Sequence, residues 1–320
     1  MPTTSRLITG NLPNRLPTTM IRWVLLSLLL VTGCARPAAE RCCQSAETAL
    51  REGRLDTVLP IVDDCARQYP DAPEPRRMRV IVLLRLDRLE EAKTAVSALP
   101  ADDPILRTAL RRRDSAVRVG AARLLAEKPT GPSFRALVRG LQDPVVDVRR
   151  YCTRALGKLR NPAALKPLYR ALQDDNWHVR AEAVDALREI GDPRCVGWLI
   201  ARLKDGDGYV RYRVMVALET LASEASREFL LKALDRTGEA QRLGIAFALA
   251  RLHDPAALGP LTNALQHTDQ AIRRWAVQAL ATGGWPAATN SLAALVEDSD
   301  AEVRALARAT LDKLRQRPTD

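Results

Sequence analysis

A chain of 320 residues that is 47% apolar and 27% charged can bury a sizeable core, which excludes a disordered chain. Aromatics are only 4%, so the core is built from Leu, Ala and Val, a composition that suits close-packed helices better than a β-sandwich. The formal charge is +11, but Arg6, Arg15 and Arg22 precede Cys34 with no acidic residue among them, so the remainder carries +8. Acidic residues are interspersed throughout that remainder, which favours solvated Arg-rich helix faces over a dedicated polyanion site.

Arg22 precedes an apolar run from Trp23 to Val31, followed by Thr32, Gly33 and Cys34. Nine residues are too few to cross a bilayer as a helix. A positive flank, a short apolar core and a small residue ahead of a cleavage point read as a secretory signal over residues 1–33. The last four positions, Val31-Thr32-Gly33-Cys34, resemble the lipobox of bacterial lipoproteins. That resemblance implies diacylglyceryl transfer to the Cys34 thiol and cleavage after Gly33. The exported protein is then held on a bacterial membrane, facing the periplasm, by acyl chains contributing about 0.8 kcal/mol per buried methylene. An ordinary signal or an uncleaved anchor is the plainer alternative, and a start at Met20 would keep the same motif.

Residues 34–39 read as an acylated N-terminus and short tether. In the block 40–103 a repeat of 34 follows: Gly53-Arg54-Leu55 aligns with Asp87-Arg88-Leu89, Val62 with Val96, and Pro70 with Pro104. Helices are expected at about 40–52, 56–68, 74–86 and 88–99, in pairs of a length that resembles the tetratricopeptide repeat. The family's tryptophan and central glycine–tyrosine are absent. Such a block can cap the end of a helical array or form a small peptide groove. With Cys34 acylated, Cys42 or Cys43 could bridge to Cys65 across a helical hairpin in an oxidising compartment, and Cys43 with Cys65 is the candidate pair. No histidine lies near to make a zinc pattern.

From Pro104 to residue 316 the chain repeats every 31 residues, leaving a tail at 317–320. Arg118, Arg149, Arg180, Arg211, Arg242, Arg273 and Arg304 form one column, and Leu125, Leu156, Leu187, Leu218, Leu249, Leu280 and Leu311 another. A third runs through Leu106, Leu137, Leu168, Leu199, Leu230, Leu261 and Leu292. Each unit divides into two helices. The second starts at Thr130, Asn161, Asp192, Ser223 and Asp254, residues that accept N–H bonds at helix N-termini, with proline next at Pro162, Pro193 and Pro255. Ser299 and Glu302 have capping-box spacing at the last helix. Self-similarity at this period marks an all-α solenoid. Paired helices, Pro and cap between them and Val-Arg early in the first resemble the HEAT repeat, in the short form of phycobilisome lyase-like proteins. In that family the arginine bonds an acidic or carbonyl group of the adjoining turn, and Asp143, Asp174, Asp205 and Asp298 share a register that would supply it. Cys152 and Cys195 stand in small-residue columns and are expected to be buried.

Breaks in the repeat point to a surface. Trp177 stands where other units have small or polar residues, and Tyr209, Tyr212 and Trp275 lie in neighbouring first helices or turns. They are candidate partner-binding anchors, with ordinary interhelical packing as the alternative. On the second helices, which line the concave surface of HEAT arrays, Arg135, Arg139, Lys166 and Arg170 form a candidate basic strip. No Gly-rich phosphate loop, nucleophile elbow or paired-histidine helix occurs, and none of His178, His253 and His267 is followed by Glu, as the ligand histidines of HEAT-like deoxyhypusine hydroxylases are. The expectation is therefore a membrane-tethered, non-catalytic scaffold that needs no cofactor or metal and binds a protein through its concave face and exposed aromatics. A binder of anionic polymer or lipid using the basic strip is the alternative, and a lyase-like enzyme a minor one; nucleic acid and small-molecule substrates are not expected.

Overall fold

The computed structural model describes residues 38–316, and every regular element among them is helical. Residues 1–37, with Cys34 and the signal, and the tail 317–320 lie outside the described residues. The chain divides into two compact units between Ile105 and Leu106.

The first unit contains α1 (38–51), α2 (Leu55–Gln68), α3 (Pro73–Arg85) and α4 (Leu89–Ser97). Helix α1 starts inside the stretch expected to be tether, because Ala39 is already fully buried. Val80 to Leu84 are buried in succession, so α3 is the centre of this unit and packs on both α2 and α4. Arg79 Nε donates to Asp63 across α2 and α3 at 2.9 Å, and Arg77 Nε to Asp103 at 2.9 Å.

The disulfide joins Cys42, not Cys43, to Cys65, with the Cα atoms 5.9 Å apart. Successive residues of an α-helix point about 100° apart, so only one of two adjacent cysteines can face α2. Cys43 turns into the packed side instead, and burial, with Glu74, Glu40 and Glu47 adding to it, pushes its free thiol up to about 11.

Helix α5 (Ile105–Ala109) falls at the division, and the second unit alternates two sets. The first helices are α6 (Ser115–Glu127), α8 (Val146–Lys158), α10 (Trp177–Ile190), α12 (Gly208–Leu221), α14 (Glu239–Arg251), α16 (Gln270–Gly283) and α18 (Ala301–Arg315). The second helices are α7 (Phe134–Gly140), α9 (Leu165–Ala171), α11 (Val196–Arg202), α13 (Glu224–Arg236), α15 (Leu258–Ala264) and α17 (Thr289–Ala293). Except for α13, each second helix is entered through a 3₁₀ turn carrying a proline, as at Pro162–Ala164 and Pro193–Cys195. Asn161, Asp192 and Asp254 cap those turns as expected, whereas Thr130 spends its hydroxyl on Ser133. The first helices carry a second cap column, Asp114, Asn176, Asp207, Asp269 and Asp300, each accepting a backbone N–H two residues on. The last helix is thus capped by Asp300 rather than by Ser299.

Both leucine columns face the core. Leu156, Leu187, Leu249 and Leu280 are fully buried, as are Leu137, Leu168, Leu199, Leu261 and Leu292, and only Leu106 at the start is half-buried. Each first helix stacks on the next, most closely where a Cβ on Gly157 of α8 would come within 2.6 Å of the Ala186 backbone on α10. Cys152 and Cys195 are buried, and burial pushes each thiol up to about 12.

The arginine column clamps successive repeats. Arg118, Arg149, Arg180 and Arg273 donate through Nε to Asp143, Asp174, Asp205 and Asp298 one repeat on, at 2.7, 2.7, 2.8 and 2.8 Å. A second guanidinium nitrogen of each bonds carbonyls of the preceding turn, so one side chain ties two turns together. The aspartate also accepts the N–H two residues on. These bidentate pairs are the strong, charge-assisted kind. The clamp lapses twice, because the aspartate register holds Arg236 and then His267. Arg211 is left with the carbonyls of Asp205 and Gly206, and Arg242 with that of Leu234.

Candidate functional site: an aromatic groove on the first helices

The two unclamped junctions lie on either side of α14, and α14 is unusual in itself. Residues Gly244 to Ala250 are all buried, a longer unbroken run than in any other first helix. Two residues draw it inward. The buried Gln241 amide donates to the Ile200 carbonyl of α11 at 3.3 Å. Gly244 leaves room for Leu203, whose Cδ2 would come within 2.6 Å of a Cβ there. With α14 sunk between them, α12 and α16 border a groove of 260 Å³. Phe247 forms its floor, Tyr212, Met215 and Trp275 its walls, and Glu219, Gln278 and Thr282 supply polar groups at its edge.

The rings that interrupted the repeat are brought into one line. Trp177 meets Tyr209 edge-on at 5.7 Å between centroids, Tyr209 lies 6.5 Å from Tyr212, and Tyr212 stacks on Trp275 at 5.2 Å with planes 18° apart. Phe247 closes the line edge-on to Trp275 at 6.5 Å. Tyr209 is 50% exposed and Tyr212 39%, while Trp177 and Trp275 are half-buried, so each ring packs on a neighbour and still presents an edge or face to solvent. Arg213, paired with Asp185 of α10, lies 5.8 Å from the Tyr209 centroid, a cation–π distance that fixes that ring.

All four aromatic candidates therefore share one surface, on the first helices. The basic candidates do not join them: Arg135 and Arg139 stand on α7, and Lys166 and Arg170 on α9, all exposed on second helices. The aromatic and basic candidates thus belong to two different helix sets, as their places in the repeat implied. Phe247 and Val216 were missed in the sequence, although they occupy one column that holds Arg123, Arg154, Asp185 and Gln278 before ending at Ala309. An apolar pair interrupting a polar column was the available signal. Among the described residues no group of His, Cys, Asp and Glu is placed to hold a metal ion, and no helix is long and apolar enough to cross a membrane.

Stacked helix pairs with a fixed 31-residue register define an α-solenoid of repeats. The chain belongs to the HEAT-repeat family, whose profile matches residues 103–188, 134–219, 167–241 and 228–312, together more than half of the sequence. No curated protein matches it in sequence. Among solved structures it is similar to the archaeal HEAT-like repeats protein from Thermococcus onnurineus NA1, at 16% identity over 68% of this chain and 98% of that one, with a TM-score of 0.50. It also resembles the complex of CpcE and CpcF of phycocyanin lyase from Nostoc sp. PCC7120, at 22% identity over 68% and 98%, with a TM-score of 0.39. Human deoxyhypusine hydroxylase aligns at 22% identity over 85% and 99%, with a TM-score of 0.30. These likenesses concern the fold alone.

Proposed function

We propose that this protein is a membrane-tethered, non-catalytic scaffold that holds a protein partner in the groove over α14. The observation that carries this reading is the groove itself. The repeat departs from its pattern in aromatic and apolar residues that converge on one open surface, and anchors of that kind dominate protein interfaces. The fold is that of HEAT repeats, whose stacked helices present extended binding surfaces. Two further features support the tether and the absence of catalysis. The lipobox at Cys34 supplies the acyl site, and a disulfide between Cys42 and Cys65 suits an oxidising, exported setting. The free thiols Cys43, Cys152 and Cys195 are buried and raised to about 11 or 12, so none is a nucleophile near neutral pH.

Fractionation tests the tether and co-purification the groove. Cys34→Ser should move the protein from the membrane fraction to the soluble one, and a variant that stays with lipid removes the lipoprotein reading. Trp275→Ala should abolish recovery of the partner from crosslinked membranes while leaving the protein in place. Recovery unchanged by that substitution rules the groove out.

A further inference from the structure

The groove over α14 has two unlike ends. Tyr212 of α12, stacked on Trp275 of α16, closes one of them, with Phe247 beneath. Seven residues further along each helix, a rise of about 10 Å, Glu219 and Thr282 line the other end, with Gln278 a turn before Thr282. Glu219 is exposed, and among the described residues its carboxylate meets no hydrogen-bond donor or cation. None of the described residues lining the groove is a lysine or arginine. The basic side chains nearest in register are taken or stand outside. Arg188, one repeat before Glu219, lies 3.7 Å from Asp185, Arg274 pairs with Glu302, and Arg251 ends α14 without lining the groove.

Elsewhere on the first helices, a ring and a carboxylate come with an arginine between them. Arg154 lies 5.8 Å from the Tyr151 centroid and donates to Glu182 of the next first helix at 3.1 Å. Arg213 lies 5.8 Å from the Tyr209 centroid and donates to Asp185 at 3.0 Å. At the groove the rings and the carboxylate recur and the arginine does not. The helix ends agree with this. Helices α8, α10, α14 and α18 carry a basic residue in the last turn, where the partial negative charge of the helix dipole gathers, and α12 and α16 carry none. Glu219 and Thr282 lie in those two last turns, so the polar end of the groove joins an unpaired carboxylate to two helix ends without a cation of their own.

We infer that the groove receives a lysine or arginine side chain of the partner protein, its charge at Glu219 and its stem along Phe247 and Met215; the inference rests on the groove being the seat of a protein partner. Aromatic rings attract a cation through their quadrupole, and more strongly where water is excluded. The N–H groups of the cation then have three acceptors to meet: the Glu219 carboxylate, the Gln278 side-chain carbonyl and the Thr282 hydroxyl oxygen, whose own proton goes to the Gln278 backbone carbonyl at 3.0 Å. An acidic side chain in the same place would face Glu219 as a like charge. A wholly apolar one would strip water from that carboxylate and offer no donor in return.

The test is selection from a random dodecapeptide library displayed on phage, with the full-length protein immobilised in detergent as bait. Winners that lose binding to Trp275→Ala, or to Tyr212→Ala should the first variant fold poorly, are ligands of the groove, and they should share one lysine or arginine. Replacing that residue in a synthetic winner by norleucine, which keeps a stem and drops the charge, should cost about ten-fold or more in affinity. Glu219→Gln should weaken the unaltered peptide to the same degree with thermal melts unchanged, and Glu219→Lys should prefer the peptide carrying glutamate at that position. If the winners that depend on Trp275 share no basic residue, or bind Glu219→Gln as well as the wild type, this inference is overturned while the groove keeps its role. If no winner depends on Trp275 or Tyr212, the groove loses that role and the inference falls with it. Choline bound through Trp275 and Glu219, with no basic peptide selected, equally overturns the inference in favour of a quaternary ammonium ligand.

Discussion

Arg180 illustrates how a single side chain carries the array. Its guanidinium is 16% exposed and Asp205 only 3%, so the pair is largely desolvated, and its worth depends on every donor being used. Burial alone would raise the Asp205 carboxyl, but the bonds from Arg180 and the Asp207 N–H outweigh it and hold the carboxyl below the usual carboxylate range; Arg273 does the same for Asp298. A lowered folded pKa means stability that is complete above the unfolded value and is lost as pH falls through the folded one. Thermal melts should therefore drop as pH descends below about 4, and Asp205→Asn should flatten that drop. Arg180→Met should cost about 3–5 kcal/mol at neutral pH, because it strands Asp205. The pairing was legible in the sequence, where Asp143, Asp174, Asp205 and Asp298 share one register. The choice between Cys42 and Cys43 was not, since it depends on how α1 is rotated against α2.

At the scale of the element, α14 is held deep by the absence of a side chain. Replacing Gly244 by Ala gains about 1 kcal/mol of helix propensity. It also forces a methyl against buried Leu203, and overpacking of this kind costs about 1–3 kcal/mol. The expected sum is a net destabilisation together with weaker partner binding, read by denaturant melts and by co-purification; a stabilised protein with intact binding would refute the recessed-helix account. The second lapse of the clamp makes an opposite prediction. His267 Nδ1 already accepts the Asp269 N–H at 3.0 Å, the bond that Asp298 makes one repeat later, so His267→Asp keeps that contact and offers a carboxylate to Arg242. Both side chains are exposed, and the gain should be about 1 kcal/mol, seen as a raised melting temperature. Helix pairs, their leucine faces and the caps at Asn161, Asp192 and Asp254 could be read directly from the period. The recession of α14 could not, because it arises from Ile200 and Leu203, 41 residues before Gln241 and Gly244.

For the whole molecule, the period announces a stack of helices but says nothing about where its surface becomes specific. That information lay in departures from the period, and only some were visible. Trp177, Tyr209, Tyr212 and Trp275 stand out as aromatics. Their contact with one another does not, because Tyr212 and Trp275 are two repeats apart and meet only over a sunken helix. On this repeated frame the aromatic departures coincide with the two repeats that lack the arginine–aspartate clamp.

Whether a partner sits in the groove over α14 can be read by site-specific photocrosslinking in intact cells. A photoreactive phenylalanine analogue is placed at position 212, at 247, or at exposed Ala163 on the second-helix side. A partner in the groove should give one crosslinked protein of the same mass from 212 and 247, in yields near those of the scaffold itself, and none of that mass from 163. Equal crosslinking from all three positions, or none from 212 and 247, would contradict it.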